Sequence, residues 1–232
     1  MSCDAKREYL EREGDAYFER NFDAQKVHGE SIGVKLFYNF ILCQVRGGVY
    51  AIRDKKVLEI GCCYGYNLAY LESQCDFKCY GVEPSPKAVS YGKQIFKDKI
   101  EIIQGTADEL RFEDEFFDVV IVGTCLYQVD RVLLEQVLKE IDRVLVRGGF
   151  LVISDFDTPV PYKVDNKHNA MTPTFKDNYG DMFLHRPFSY SLAEKRSYTF
   201  GGDFAFSTNV QERMSTQILY KEKELYYCSM EA

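Results

Sequence analysis

VLEIGCCYGYNLAYL, residues 57–71, begins as a short apolar run, bends through two glycines and continues with helical spacing. Val57 to Ile60, bounded by turn-forming residues, reads as a strand buried in a parallel sheet. Gly61 permits a tight turn, and Gly65 permits close approach of backbone and ligand. A helix that starts behind such a bend offers free N–H groups to whatever sits at the strand tip. Many nucleotide-binding chains have a glycine turn after a strand, so the neighbouring segments must say more.

Downstream, strand and helix alternate. Strands are expected at Lys78 to Glu83, Ile100 to Gln104, Phe117 to Val122 and Phe150 to Ser154. Helices are expected over 66–74, 86–96 and Val132 to Val146, the last stopped by Gly148 and Gly149. Such alternation over about a hundred residues argues for βαβ units and a parallel sheet. About twenty residues after the glycine turn, the second strand ends in Glu83, where a carboxylate can accept both hydroxyls of a ribose.

Upstream, residues 4–30 read as a polar helix with Tyr9, Leu10, Tyr17, Phe18 and Phe22 at helical spacing. Residues 31–46 form a stronger amphipathic helix, opened by Ser31 as a cap and stopped by Gly47 and Gly48. After Phe156 the periodicity fades. Residues 157–196 gather Pro, Asn, Asp and His, and a loop of that length in a compact domain is usually functional or disordered. Ser197 to Phe206 and Thr216 to Tyr227 then read as two strands closing the sheet antiparallel. The expected division is a helical cap over 1–50, a ligand-binding core over 51–156, a substrate-side insertion over 157–196 and closing strands over 197–232.

The 232 residues are long enough to bury a core without disulfides or metal. The net charge of −7, with no Lys/Arg run, favours a small-molecule partner over nucleic acid. The charged N-terminus (MSCDAKREYLEREGD) does not resemble a secretory signal, and no apolar stretch reaches the length of a membrane span. A cytoplasmic chain with eight reduced cysteines, no membrane partner and no metal site is therefore expected, as monomer or homodimer. Aromatics make up 15% of the chain, all Tyr and Phe, which suits either a Tyr-rich core or a cleft both apolar and hydrogen-bonding.

Taken together, VLEIGC…G, YGVEPS, GTADELRFEDEFFDVVIV and VLVRGGFLVISDF resemble the ordered motifs of class I S-adenosylmethionine-dependent methyltransferases over about residues 55–155. The resemblance implies a Rossmann-like three-layer αβα sandwich with a mostly parallel seven-stranded sheet and an antiparallel C-terminal edge strand. It implies S-adenosylmethionine as cofactor and S-adenosylhomocysteine as its product. It assigns the methionine end to Gly61 and Gly65, the ribose to Glu83, and the adenine to Thr106, Ala107 and Asp108, with Glu59, Cys62, Asn67, Pro84 and Gly123 also expected at the cofactor. There are departures. Cys63 stands where the family often has glycine, Thr106 where an Asp is common, and Gln128 where a His often follows the fourth strand. A narrower likeness, GDAYFERN (residues 14–21) with the Cys after the first glycine, resembles methylases associated with pseudaminic acid biosynthesis. It implies an acceptor from bacterial surface-glycan metabolism. It also implies a lid in which Tyr17 and Arg20 serve, Arg20 either pairing with the methionine carboxylate or standing in solvent.

Methyl transfer asks the protein mainly to position two reactants in line. A base is required only when the acceptor arrives protonated. His168 and His185 fall in the 157–196 insertion and are either the base or surface residues without a role. Tyr127, after the fourth strand, is a candidate substrate contact or a rim aromatic. Arg186 either holds an anionic group or makes a surface ion pair. The rival readings are a nicotinamide-dependent oxidoreductase, against which Gly-x-x-x-Gly replaces Gly-x-Gly-x-x-Gly, and a non-catalytic S-adenosylmethionine-binding protein.

Overall fold

The computed structural model describes residues 4–28, 31–48, 50–51 and 53–223, and the side chains among them except those of residues 4, 5 and 23–28. The chain opens with α1 (Asp4–Glu8), one π-helical turn (Tyr9–Glu13) and α2 (Gly14–His28), a nearly continuous helical segment. In α3 (Ile32–Arg46), Ser31 caps the first turn by accepting from Val34 N, and Val34, Phe37 and Ile41 form one buried stripe. Then come β1 (Lys56–Ile60), α4 (Tyr66–Gln74), β2 (Lys78–Glu83), α5 (Pro86–Phe96) and β3 (Ile100–Gln104). β4 (Phe117–Gly123), α6 (Arg131–Val144) and β5 (Leu145–Phe156) complete the core. A small hairpin of β6 (Tyr162–Val164) and β7 (Thr174–Lys176) precedes β8 (Tyr190–Thr199) and β9 (Arg213–Lys221).

The main sheet runs β3-β2-β1-β4-β5-β9-β8. β1 pairs in parallel with both β2 and β4, so strand order reverses beside it. In such sheets the crevice at that reversal, outside the carboxyl ends of the strands, is where ligands bind. The antiparallel member is the C-terminal β9, hydrogen-bonded to β5 on one side and to the outermost β8 on the other. Alternating residues separate two apolar layers. Val57, Val119 and Val152 pack with α3, α4 and Val89 of α5; Leu58, Val120 and Leu151 pack with α6, Tyr179 and Phe183. The central strands are buried on both faces, which is why they read as unbroken apolar runs.

Three boundaries differ from the sequence reading. α6 ends at Val144, and β5 starts at once, with Leu145 opposite Phe117. Gly148 and Gly149 therefore lie inside the strand. A Cβ on Gly149 would come within 2.7 Å of Asp118 O, so the glycine serves close strand packing, not a helix stop. The insertion is not structureless, since it holds β6 and β7, and β8 begins at Tyr190 instead of Ser197. β8 ends at Thr199 because the chain turns through Gly201 and Gly202, the latter at φ +95°. Residues 224–227 of the expected last strand lie outside the described residues.

Gly92 tests how tightly α5 sits on the sheet. Helix propensity alone makes Gly92→Ala stabilising by about 1 kcal/mol. A Cβ there, however, would stand 2.5 Å from both Tyr64 O and Ile102 Cδ1. Overpacking against backbone wins that comparison. The expected result in urea unfolding is a net loss of about 1–3 kcal/mol; a raised midpoint would show that α5 can move away.

Candidate active site at the β1 and β2 strand tips

Gly61 turns out of β1 at φ +72° and donates from its N–H to Val82 O at 2.8 Å. Cys63 follows at φ +51°, a left-handed conformation that a non-glycine residue adopts only at some cost. The bend brings Cys63 N to 2.9 Å from Glu83 Oε2, while Ser85 N donates to Glu83 Oε1 at 2.9 Å. One carboxylate thus joins the β1 bend to the tip of β2. Glu83 is buried, and burial pushes its carboxyl up to about 7, against the two amides that favour its ionised form.

Glu59 is 2% exposed. Its Oε1 accepts from Asn67 Nδ2 at 2.6 Å, and its Oε2 has no partner. Burial raises this carboxyl to about 8, the Asn67 hydrogen bond opposing and the Glu83 charge adding. Asn67 Oδ1 in turn accepts from Ser31 N, which ties the start of α3 to the same group.

These residues border a cavity of about 330 Å³, within the range of small-ligand sites. Glu59, Gly61, Cys63 and Asn67 form one wall, and Glu83 and Pro84 the next. Beyond them lie Gly105 to Asp108 on one side and Gly123 to Cys125 with Gln128 on the other. Lys6, Tyr9 and Tyr17 of the N-terminal helices form the roof. Lys6 pairs with Asp108 at 2.5 Å, and Ser85 Oγ donates to Asp15 at 2.6 Å, so the roof is fastened to the core. It is also fastened to the insertion, because Asn169 Nδ2 donates to both Glu8 and Glu13, at 3.1 and 3.0 Å. Burial raises the Tyr17 phenol to about 12 and lifts those of Tyr9 and Tyr127 well above the usual range. These tyrosines are neutral hydrogen-bond donors at pH 7, not bases.

Residues 58–153 match the family model of a methyltransferase domain. Over this segment the chain is similar to methyltransferase domains. Among curated relatives, a demethylmenaquinone methyltransferase of Bacillus mycoides is 30% identical over 55% of this chain and 54% of its own length. A sterol 4-C-methyltransferase of Caenorhabditis elegans is 28% identical over 68% of this chain and 48% of its own. The chain spans about half the length of the curated relatives it matches. Among solved structures, the 1,6-didemethyltoxoflavin-N1-methyltransferase of Burkholderia thailandensis superposes with a TM-score of 0.67 at 15% identity. That superposition covers 94% of this chain and 90% of the other, so the likeness of fold extends beyond residues 58–153.

The structure brings together Tyr17, Glu59, Gly61, Asn67, Glu83, Pro84, Thr106, Ala107, Asp108 and Gly123 on the cavity. Cys62 and Gly65 shape the bend without lining it. Cys62 turns its thiol toward Gly81, where a Cβ would come within 2.4 Å of its sulfur, and Gly65 caps α4 against Ile102. Arg20 is engaged by buried Glu13 at 2.5 Å and does not line the cavity. The two candidate histidines do not face it. His168 is exposed, and His185 is exposed beside Asp181; neither borders the cavity, whose roof the N-terminal helices take. Tyr127 lies just behind the wall, its ring on Phe156 and its hydroxyl accepting from Gln128 at 2.8 Å. Sequence reasoning missed Lys6 and Tyr9 in the roof and Ser154, Tyr198, Phe200 and Met214 opposite. It also missed Asp155, a buried acid at the β5 tip whose carboxyl burial raises to about 7. The motif VLVRGGFLVISDF pointed at that strand end, but nothing in it distinguished an inward from an outward residue.

Proposed function

We propose that the chain transfers a methyl group from S-adenosylmethionine to a small-molecule acceptor held between the N-terminal roof and the closing strands. The observation that carries this is the Cys63–Glu83 joint with an open cavity beside it and the unpartnered Glu59 Oε2 at its edge. The donor set suits the cofactor. Glu83 has acceptor capacity left for ribose hydroxyls, Glu59 Oε2 can accept from an ammonium, and Thr106 to Asp108 border the space an adenine would need. When bound, the cofactor supplies a sulfonium methyl open to in-line displacement. The roof tyrosines exclude water and present neutral aromatic faces, which are compatible with a cation. Their hydroxyls can orient an acceptor oxygen by donating to it.

Among the described side chains no histidine borders the cavity, and the tyrosines are held protonated. We therefore assign the nucleophile's electron pair to the acceptor itself, as an anion or an already neutral amine, with no proton taken by the protein. Ile32, Leu133, Tyr198, Phe200 and Met214 make the far end of the cavity largely apolar. This favours an acceptor with an apolar ring or body, and the names of the menaquinone- and sterol-acting relatives agree with that chemistry. A sugar of surface-glycan metabolism is the second acceptor class, for which Thr124 and Gln128 supply polar contacts; a sugar hydroxyl arrives protonated, so in this class the Asp130 carboxylate would have to take its proton. In this reading residues 1–50 act as the cap and 157–196 as the segment that latches it through Asn169.

Calorimetric titration with S-adenosylhomocysteine and, separately, NAD tests the assignment. Saturable binding of the first and no heat from the second is expected. Binding of NAD alone would overturn it.

A further inference from the structure

The turn between β8 and β9 places Phe200, Phe204 and Phe206 in solvent, at 70%, 58% and 64% exposure. Single exposed apolar residues are ordinary on a protein surface, whereas three large rings in one short turn mark an interaction site. The turn is joined to the cavity. Phe200 both lines it and stacks on Phe156, with centroids 6.1 Å apart and planes at 4°. Gly202 sits against Ile32 of the cavity wall, with 3.6 Å between its Cβ position and Ile32 Cδ1. Two cations flank the outer rings: the Arg196 guanidinium lies 5.9 Å from Phe204 and that of Arg213 lies 4.7 Å from Phe206.

We propose that this turn docks the protein on the surface of a lipid bilayer. Phe204 and Phe206 enter the boundary between headgroups and acyl chains, Arg196 and Arg213 meet the phosphates, and Phe200 continues the apolar path to the cavity mouth. Rings flanked by cations are the side-chain combination that suits this interface. Asp203 in the same turn and the net charge of −7 oppose general attraction to an anionic surface, so the rings supply most of the affinity. No helix among the described residues is long and apolar enough to cross a membrane, so the contact is peripheral. The inference rests on the methyl-transfer reading only for what the cavity does, and it is tested without turnover.

The chain contains no tryptophan, so Phe206→Trp places a single tryptophan at the proposed contact, excited on the red edge where the 17 tyrosines do not absorb. With vesicles of phosphatidylcholine and phosphatidylglycerol, its emission is expected to shift to the blue and to be quenched by brominated acyl chains. Co-sedimentation of the otherwise natural chain should fall by about tenfold for each ring removed in Phe204→Ser and Phe206→Ser. Emission unmoved by vesicles would overturn the proposal. So would a shift produced equally by decyl maltoside below its micelle concentration without vesicle binding, which would mean a single acyl chain binds there. S-adenosylhomocysteine titration separates the two readings: a natural chain that binds it but does not sediment with vesicles loses the anchor proposal alone, and a natural chain that does not bind it loses the methyl-transfer reading.

Discussion

Replacing Glu83 by alanine is expected to weaken S-adenosylhomocysteine binding at least tenfold. The carboxylate already accepts from Cys63 N and Ser85 N, so its loss strips partners from two amides and from any ribose hydroxyls at once. Hydrogen bonds to a charged group are worth roughly 1.5–3 kcal/mol each, and tenfold in affinity needs only about 1.4 kcal/mol. Because Glu83 also holds the β1 bend, part of the effect comes through Cys63, whose left-handed backbone donates to that carboxylate. Glu83→Asp separates the contributions. Its carboxylate is one methylene shorter and cannot reach both amides, so a smaller loss than for alanine is expected, with thermal stability tracking the bend and calorimetry tracking the ligand. An unchanged dissociation constant for Glu83→Ala would remove Glu83 from the ribose site.

The sheet centre was legible because its physics is local. VLEI and VVIV are buried on both faces, so apolar runs between turn residues suffice to mark them, and Gly61 and Glu83 follow at fixed distances from the strand ends. The β5 boundary was not legible, since Val144, Leu145 and Val146 continue the helical apolar spacing of α6. Their strand state is set by pairing with Phe117, a residue far away in the chain. The histidine assignments failed to reach the cavity for a related reason. Position after β5 puts a segment near the carboxyl edge of the sheet, but which segment covers that edge is settled by long-range contacts. Asn169 with Glu13 and Lys6 with Asp108 are such contacts, and no short motif announces them. The spacing of Ser197 to Phe206 predicts Phe200, Phe204 and Phe206 as strand residues, and only the observed turn at Gly201 and Gly202 exposes them.

Binding of S-adenosylhomocysteine is expected to strengthen as pH rises from about 5.5 to 7.5, with protons released on binding. Without ligand, burial holds Glu83 at about 7 and Glu59 at about 8, so both carry protons over much of that range. Ribose hydroxyls at Glu83 and an ammonium at Glu59 stabilise the ionised forms, so the ligand must expel those protons. Each fully coupled proton makes affinity change about tenfold per pH unit, and the slope flattens once pH exceeds the folded-state values. Stability without ligand runs the other way. Glu59, Glu83 and Asp155 all have carboxyls raised above their unfolded values, so the folded chain holds more protons than the unfolded one between roughly pH 4 and 8. Their contribution is fully present at the acid end and is lost as pH climbs through 7 and 8. The ligand-induced rise in melting temperature should therefore grow with pH while the ligand-free melting temperature falls. Calorimetry in phosphate and in Tris, whose ionisation enthalpies differ, measures the released protons directly. Glu59→Gln keeps the packing but has no proton to expel, and it should flatten the upper part of the slope. Affinity constant from pH 5.5 to 7.5, with no difference in heat between the two buffers at pH 7.5, would mean that neither carboxylate meets the ligand.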